Sequence, residues 1–466
     1  MKELLVKDII KVTNGKLIIG NENLVCNNFS KDTRTINKGD VYIGIKGEKF
    51  DGSKFWKEAL NNGASSVIIS NIEITKEEKE NFKGKTIIIV EDTLKALYEI
   101  AKLKRSLYNI PVIAITGSVG KTSTKDIIAS VISKKYKTLK TIGNNNNNIG
   151  LPFTILKLKD EETLVLEMGM NHFGEIKLLS NIAKPDICVI TNIGTSHIGN
   201  LGSRQNILKA KLEILEGNKN AYVVINNDND LLHEWYEKNK NNNKIYTYGI
   251  KNKSDFNAKN LKLEEESSNF ICETKEEQMN VELLVAGEHF VSNALSAIAV
   301  AKILNIDTNK ILEGIKGFEL TKKRMDIANL KNGIKIINDA YNASFESMQA
   351  SLKTLSKYEG TTKIAVLGDM FELGDFSKEL HEKVGKEVCK NNIDILICSG
   401  ENSKYIIESA KKNGMKEENI YYFENKDKIV EKLKDIIKPN TVILFKASNA
   451  MKFFELAKET NEILSN

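Results

Sequence analysis

A chain of 466 residues with 41% apolar and 28% charged residues is too long for one core and is expected to divide into two to four domains of an ordinary globular protein. Its net charge of +6 is spread over lysines without a local basic cluster interleaved with aromatics, which argues against a nucleic-acid groove. No apolar run is long enough to span a bilayer, and five scattered cysteines, Cys26, Cys188, Cys272, Cys389 and Cys398, argue against both a disulfide framework and a zinc site.

In chain order, Met1 to Asp8 reads as an amphipathic helix without the apolar core of a signal peptide, so a cytoplasmic location is expected. Short β-like runs follow at 17–19, 41–45, 66–69 and 86–90, with a helical stretch at 94–107. Residues 1–108 are therefore read as a small α/β domain. A second domain, 109–320, alternates strands at 110–115, 163–167, 187–191 and 221–225 with helical spacers, the pattern of a mostly parallel sheet covered on both faces. The polar stretch 238–244 breaks this pattern, and more β-like runs continue to about Val285. An alanine-rich helix is expected from Val291 to Leu304, continuing toward Phe318. In the third domain, 321–466, a hairpin at 325–338 precedes strands at 363–367, 393–397 and 441–445. This domain reads as Rossmann-like, yet no G-x-G-x-x-G loop follows its strands, which argues against a dinucleotide site.

The most informative segment is Thr116-Gly117-Ser118-Val119-Gly120-Lys121-Thr122-Ser123. It joins an apolar strand to a helix expected from about Ser123. Glycines let backbone N–H groups close on phosphate oxygens, and the helix turns its positive end toward them. Lys121 then reaches the terminal phosphates and Thr122 offers a hydroxyl to magnesium. The general pattern wants glycine where Ile115 stands, so the loop is a shortened one.

Beyond the loop, Gly143 and Ile149-Gly-Leu-Pro152 bracket an asparagine run, Asn144 to Asn148, whose amides suit a polar substrate. Glu167 ends a buried strand where open α/β sheets place their ligands, and its carboxylate suits Mg²⁺. His197 follows the strand at 187–191. Lys211 sits on an expected helix at 202–214, where the residues alone leave open a solvated charge or a functional role. Basic residues are almost all lysine, with arginine at 34, 105, 204 and 324. In such a chain an arginine suggests a position that needs the planar guanidinium fork.

These motifs occur in an order that resembles the Mur ligases, the ATP-dependent amino-acid ligases of peptidoglycan precursor synthesis. The resemblance spans Thr116 to Thr122, the Gly-Asn…Ile-Gly-Leu-Pro segment, Glu167-Met-Gly, Thr191-Asn-Ile…His197 and Ala210-Lys-Leu-Glu-Ile214. It extends to Asp32-Thr-Arg34, Asp339-Ala-Tyr-Asn-Ala343, Val366 to Gly374 and Lys446-Ala-Ser448, and points to the branch that adds D-Ala-D-Ala to UDP-MurNAc-tripeptide. The resemblance implies three α/β domains: a UDP-binding module, a central P-loop ATPase domain and a Rossmann-like C-terminal domain. It also implies an acyl-phosphate intermediate; a monomer is expected.

It assigns catalytic roles to Lys121, Glu167, His197 and Lys211. ATP contacts fall on Gly117, Ser118, Val119, Gly120, Lys121, Thr122, Ser123, Asn293, Arg324 and Asp339. Substrate contacts fall on Asp32, Thr33, Arg34, Lys46, Asn146, Asn147, Tyr341 and Asn342. Two Mg²⁺ ions are implied, held with Thr122, Glu167, His197 and a Lys211 carbamylated by CO₂. Two departures stand out. Ser53 replaces a frequent histidine, which is expected to alter substrate contacts. Phe345 replaces a frequent proline, which is expected to adjust a helix start. Two other readings stay open. One is a ligase of the Mur or folylpolyglutamate type that takes another amino acid. The other is a P-loop switch, which leaves Glu167, His197 and Lys211 unexplained as a set.

Overall fold

The computed structural model describes residues 2–47, 50–320 and 324–465, which form three α/β units, each built on its own sheet. Thr321 to Lys323, where the sequence reading starts the third domain, lie outside the described residues.

The first sheet has five strands in the order Lys16–Ile19, Thr86–Ile89, Ser66–Ile69, Val41–Ile43, Phe29–Ser30. The first pair is antiparallel and the rest are parallel. The N-terminal helix spans Val6–Thr13 and so starts later than the amphipathic pattern implied. Leu5 instead bridges to Val25, and the Asp8 carboxylate accepts from the Leu5 N–H, which fixes the helix start there.

The second sheet has nine strands, with Val112–Thr116 between Ile187–Ile190 and Thr163–Glu167. These three are buried at every position, as expected of parallel strands covered on both faces. The far edge, Phe256–Leu263, Ser268–Glu273 and Gln278–Leu283, turns antiparallel. Its last strand alternates exposed and buried residues, the pattern of a sheet with one wet face. The phosphate-loop helix runs Lys121–Ile132, two residues earlier than expected, because Gly120 in left-handed conformation serves directly as its N-cap. The long helix expected over 291–318 is two, Glu288–Ile303 and Thr308–Lys316. Asn305 adopts φ +51° between them and stops the first.

The third sheet orders Asp326–Asn329, Lys335–Asn338, Thr441–Lys446, Thr362–Gly368, Ile395–Ser399, Ile420–Phe423. All neighbours are parallel except the expected hairpin. The edge strand Ile420–Phe423 was not anticipated; its half-buried residues give neither a clear alternation nor an apolar run.

Arg105 secures the junction of the first two units. Its guanidinium donates to the carbonyls of Ala183 (2.9 Å), Tyr108 (2.5 Å) and Ile110 (3.4 Å). Three diverging acceptors at one site are what the rigid fork satisfies and a lysine does not. Ser53 is fully buried, donating to Gly44 O (3.1 Å) and accepting from Ser70 N (3.1 Å). It therefore ties a loop to a strand end. Phe345 opens the helix Phe345–Leu355 behind the Ser344 N-cap, the position at which proline is also tolerated. All five cysteines are free thiols. Among the described residues no helix is long and apolar enough to cross a membrane.

Candidate active site

The carboxyl ends of the central strands open on a cleft of about 1110 Å³ between the second and third units. Strand Val112–Thr116 delivers the phosphate loop to it. Gly117 has φ +154°, and a Cβ there would collide with Thr191 Oγ1, so both backbone and space require glycine. The loop is braced from the neighbouring strand end. Asn192 accepts from Ser118 N with its carbonyl and from Val119 N with its side chain (both 3.0 Å), and its amide donates to Val119 O (3.0 Å). Thr191 Oγ1 also donates to Val119 O (2.7 Å). Asn192 was visible in the sequence as part of Thr-Asn-Ile, but its task of shaping the loop was not.

Lys121 donates to the loop's own carbonyls, Gly117 O at 2.9 Å and Ser118 O at 3.3 Å. Burial lowers its pKa, partly offset by the Glu167 carboxylate and reinforced by Arg324. Thr122 donates to Glu167 Oε2 (2.8 Å), and Asn146 Nδ2 donates to Glu167 Oε1 (2.8 Å). Glu167 is 2% exposed, so its charge is held by directed donors rather than by water. Asn146 thus meets the phosphate end of the cleft. Asn147 lines the cleft as well, but its side-chain oxygen is taken by the N–H groups of Ile149 and Gly150.

His197 lines the cleft with φ +63°, its Nδ1 2.5 Å from Glu372 of the third unit. Lys211, on the helix Arg204–Leu212, is 1% exposed. Burial and then the nearby Lys121 cation push its pKa well below 10.5. On the opposite side, a Cβ on Gly120 would approach Asn293 Oδ1 at 3.2 Å. Asn293 is buried, lines the cleft and keeps Nδ2 without a hydrogen-bond partner. An orphaned buried donor is costly, and a ligand acceptor would remove the cost.

The third unit adds Arg324, which donates to Thr122 Oγ1 (3.0 Å) and stacks 4.2 Å over the Tyr341 ring. Asp339 accepts from Met325 N (3.2 Å), Ser351 Oγ (2.6 Å) and the buried Lys446 (2.5 Å). Lys446, seen in the sequence only as part of Lys-Ala-Ser, is the cation that fixes Asp339. Asn342 and Ser118 to Ser123 also line the cleft.

Asp32, Thr33, Arg34 and Lys46 lie outside this cleft, on the first unit. Arg34 grips Asp32 through Nε (2.8 Å) and Nη2 (2.6 Å), while its side chain stays 84% exposed. The Arg34 fork and backbone N–H hold the Asp32 carboxyl down at about 2. Thr33 donates to Glu58 (2.6 Å).

Family models match the chain in three consecutive stretches: the Mur ligase catalytic domain over residues 27–105, the Mur ligase middle domain over 115–301 and the Mur ligase glutamate ligase domain over 323–449. The chain belongs to the Mur ligase family. Its relatives include the UDP-N-acetylmuramoyl-tripeptide–D-alanyl-D-alanine ligase of Bacillus subtilis, 37% identical over 98% of each chain. The Escherichia coli protein of the same name is 29% identical over 99% of each. Among solved structures, MurF from Acinetobacter baumannii superposes with a TM-score of 0.89 at 29% identity and 99% coverage of both chains. The MurF ligase from Thermotoga maritima, solved in complex with ADP, gives 0.82 at 30% identity, covering 94% of this chain and 98% of that one. A Mycobacterium tuberculosis folylpolyglutamate synthase shares the fold at 14% identity, with a TM-score of 0.62. Within this Mur ligase, the phosphate loop, Glu167, His197, Asn293, Arg324 and Asp339 line one cleft. Lys211 lies buried within the electrostatic reach of Lys121.

Proposed function

We propose that this Mur ligase joins D-alanyl-D-alanine to UDP-N-acetylmuramoyl-tripeptide at the expense of ATP, making the pentapeptide precursor of peptidoglycan. Near-full-length similarity to ligases of that name supports the substrates, and the relative solved with ADP supports the nucleotide. The observation that carries the site assignment is the Thr122–Glu167 contact at the head of a glycine loop, within one cleft shared by two units.

A carboxylate is a poor electrophile. The substrate carboxylate therefore takes the γ-phosphoryl group of ATP, releasing ADP. The dipeptide amine attacks the resulting acyl phosphate, forms the amide, expels phosphate and gives up its proton. Each step brings anions together, so positioning and charge neutralisation dominate. The amides of residues 117–122 cradle the phosphates, and Lys121 leaves its two loop carbonyls to meet them. Thr122 and Glu167 form a hard oxygen pair suited to Mg²⁺. Among the described residues no group of three or more His, Cys, Asp or Glu is preassembled for a metal, so Thr122 and Glu167 would hold the ion only in part. A second Mg²⁺ beside His197 would draw on a Lys211 carbamate; the bound ions would neutralise charge developing on the transferred group. Asn293 faces the base, while Arg324 and Asp339 close on the nucleotide from the third unit.

We take 1–108, 109–320 and 321–466 as the three domains, a division supported by the grouping of strands into three sheets. We assign the first unit, through Asp32, Thr33, Arg34 and Lys46, to the UDP-sugar, with Tyr341 and Asn342 serving the peptide end. Phosphate release should require ATP, UDP-MurNAc-tripeptide and D-Ala-D-Ala together. Equal turnover with a single amino acid, or ATP hydrolysis without the dipeptide at the same rate, would refute the reading.

A further inference from the structure

His197 of the central unit and Glu372 of the third unit meet at 2.5 Å, and both adopt φ +63°. For a non-glycine residue that conformation costs about 1–2 kcal/mol and persists only where surrounding structure over-determines it. Here two such residues face each other across a unit boundary.

The contact is built from both sides. Gly199 N donates to Glu372 O (3.1 Å). A Cβ on Gly199 would sit 2.7 Å from Gly374 N and 2.8 Å from Glu372 O, so the two loops approach at glycine distance. The loop bearing Glu372 is rooted in the third unit. Ser403 N donates to Asp369 Oδ1 (2.7 Å), Met370 N to His381 Nε2 (3.0 Å) and Phe371 N to Ser448 Oγ (2.9 Å). The loop leading to His197 is rooted on the phosphate loop, with Gly194 N donating to Ser118 Oγ (2.8 Å) and Ser196 Oγ to Ser118 O (3.3 Å).

His197 Nδ1 is buried, and the Glu372 oxygen approaches it off the line of an ideal hydrogen bond, with no other acceptor in reach. A bare ring nitrogen and a carboxylate oxygen would repel at that distance, so Nδ1 carries the proton. In the neutral ring Nε2 is then the free nitrogen, on a residue that lines the cleft. A carboxylate that fixes one imidazole nitrogen so that the other can serve a ligand is a recurrent arrangement. Glu372 is about half exposed, and a pair of that exposure contributes little to stability, so orientation is its main effect.

We propose that Glu372 is the positioning residue of His197: docking of the third unit sets the imidazole tautomer and leaves Nε2 to serve the cleft. This inference rests on the role given above to His197.

The test uses the full chain with ¹⁵N-labelled histidine. It has five histidines, and His197→Gln assigns the ring signal of His197. The wild type should show a single Nδ1–H tautomer at His197. Glu372→Ala should show a tautomer mixture and at least a tenfold loss in kcat, with KM for ATP unchanged. Glu372→Gln, whose amide oxygen still accepts, should restore the tautomer and most of the rate. Wild-type spectra and kcat in Glu372→Ala would overturn the inference. If, in addition, His197→Ala is inactive, the role of His197 survives that failure. Full turnover in His197→Ala would instead overturn the role of His197, and with it the catalytic purpose of Glu372, whatever the spectra show.

Discussion

The Thr122 hydroxyl donates to Glu167 at 2.8 Å while accepting from Arg324 at 3.0 Å. Two side chains, one from each unit, therefore converge on the Thr122 oxygen at the head of the phosphate loop. Removal of the carboxylate leaves the hydroxyl without its acceptor and the proposed Mg²⁺ site without an anionic ligand. Glu167→Ala should lower kcat by about 10²–10³, the range for losing one preorganised electrostatic group. The affinity for Mn²⁺ in the presence of nucleotide, read by electron paramagnetic resonance, should fall with it. Unchanged Mn²⁺ binding at reduced turnover would remove Glu167 from the metal site.

How much of this was legible varies with the kind of signal. Continuous apolar runs such as Thr163–Glu167 marked the central strands, because strands covered on both faces have no polar side to display. The edge strand Ile420–Phe423 carried no such signal. The glycine loop was legible as a tight strand-to-helix turn, since Gly117 tolerates no side chain. The scarcity of arginine also proved informative. Arg105, Arg204 and Arg324 each engage a carbonyl, a carboxylate or a ring with the guanidinium plane. Other contacts were illegible because they join distant segments. Nothing local in Phe371-Glu372-Leu373 points to His197, and nothing local in Lys446 points to Asp339. The bracing of the loop by Asn192 belongs to the same class: the residue was visible, while its partner depended on strand order.

The first unit provides a separate test. Arg34 lies far along the chain from the phosphate loop and outside the cleft, with its side chain mostly exposed and its fork held by Asp32. Arg34→Ala should raise KM for the UDP-linked substrate about tenfold and leave KM for ATP unchanged. Initial-rate kinetics with each substrate varied in turn would check this. Equal loss in both constants would contradict the assignment of the first unit.

Burial holds His289, on the cleft wall, down at about 4 from an ordinary 6.5. Between those values the unfolded chain binds a proton that the folded chain refuses. Stability therefore rises with pH across this window and is lost as pH falls from 6.5 toward 4, by at most about 3 kcal/mol. His289→Gln removes that dependence. The difference in Tm between pH 7 and pH 4.5 should be smaller in the variant than in the wild type. An identical difference in both would show that His289 is solvated in the folded protein.

Lys211 offers the sharpest test, because its surroundings favour the uncharged amine that CO₂ attacks. Burial lowers its pKa well below 10.5, and the Lys121 cation lowers it further. The unfolded chain keeps the proton up to about 10.5, so between the lowered value and 10.5 the unfolded state binds more protons and stability rises with pH. Carbamylation exchanges this buried amine for an anion beside Lys121, turning a like-charge neighbour into an attractive one. Activity should therefore fall in CO₂-depleted buffer and return with bicarbonate, more completely at pH 8 than at pH 6.5. With ¹³C-bicarbonate the wild type should give a carbamate carbon resonance that Lys211→Ala lacks. Lys211→Arg should stay inactive, since it keeps a cation where an anion is required, whereas small carboxylates should restore part of the activity of Lys211→Ala. Full activity in Lys211→Arg, or in rigorously CO₂-free buffer, would exclude the carbamate.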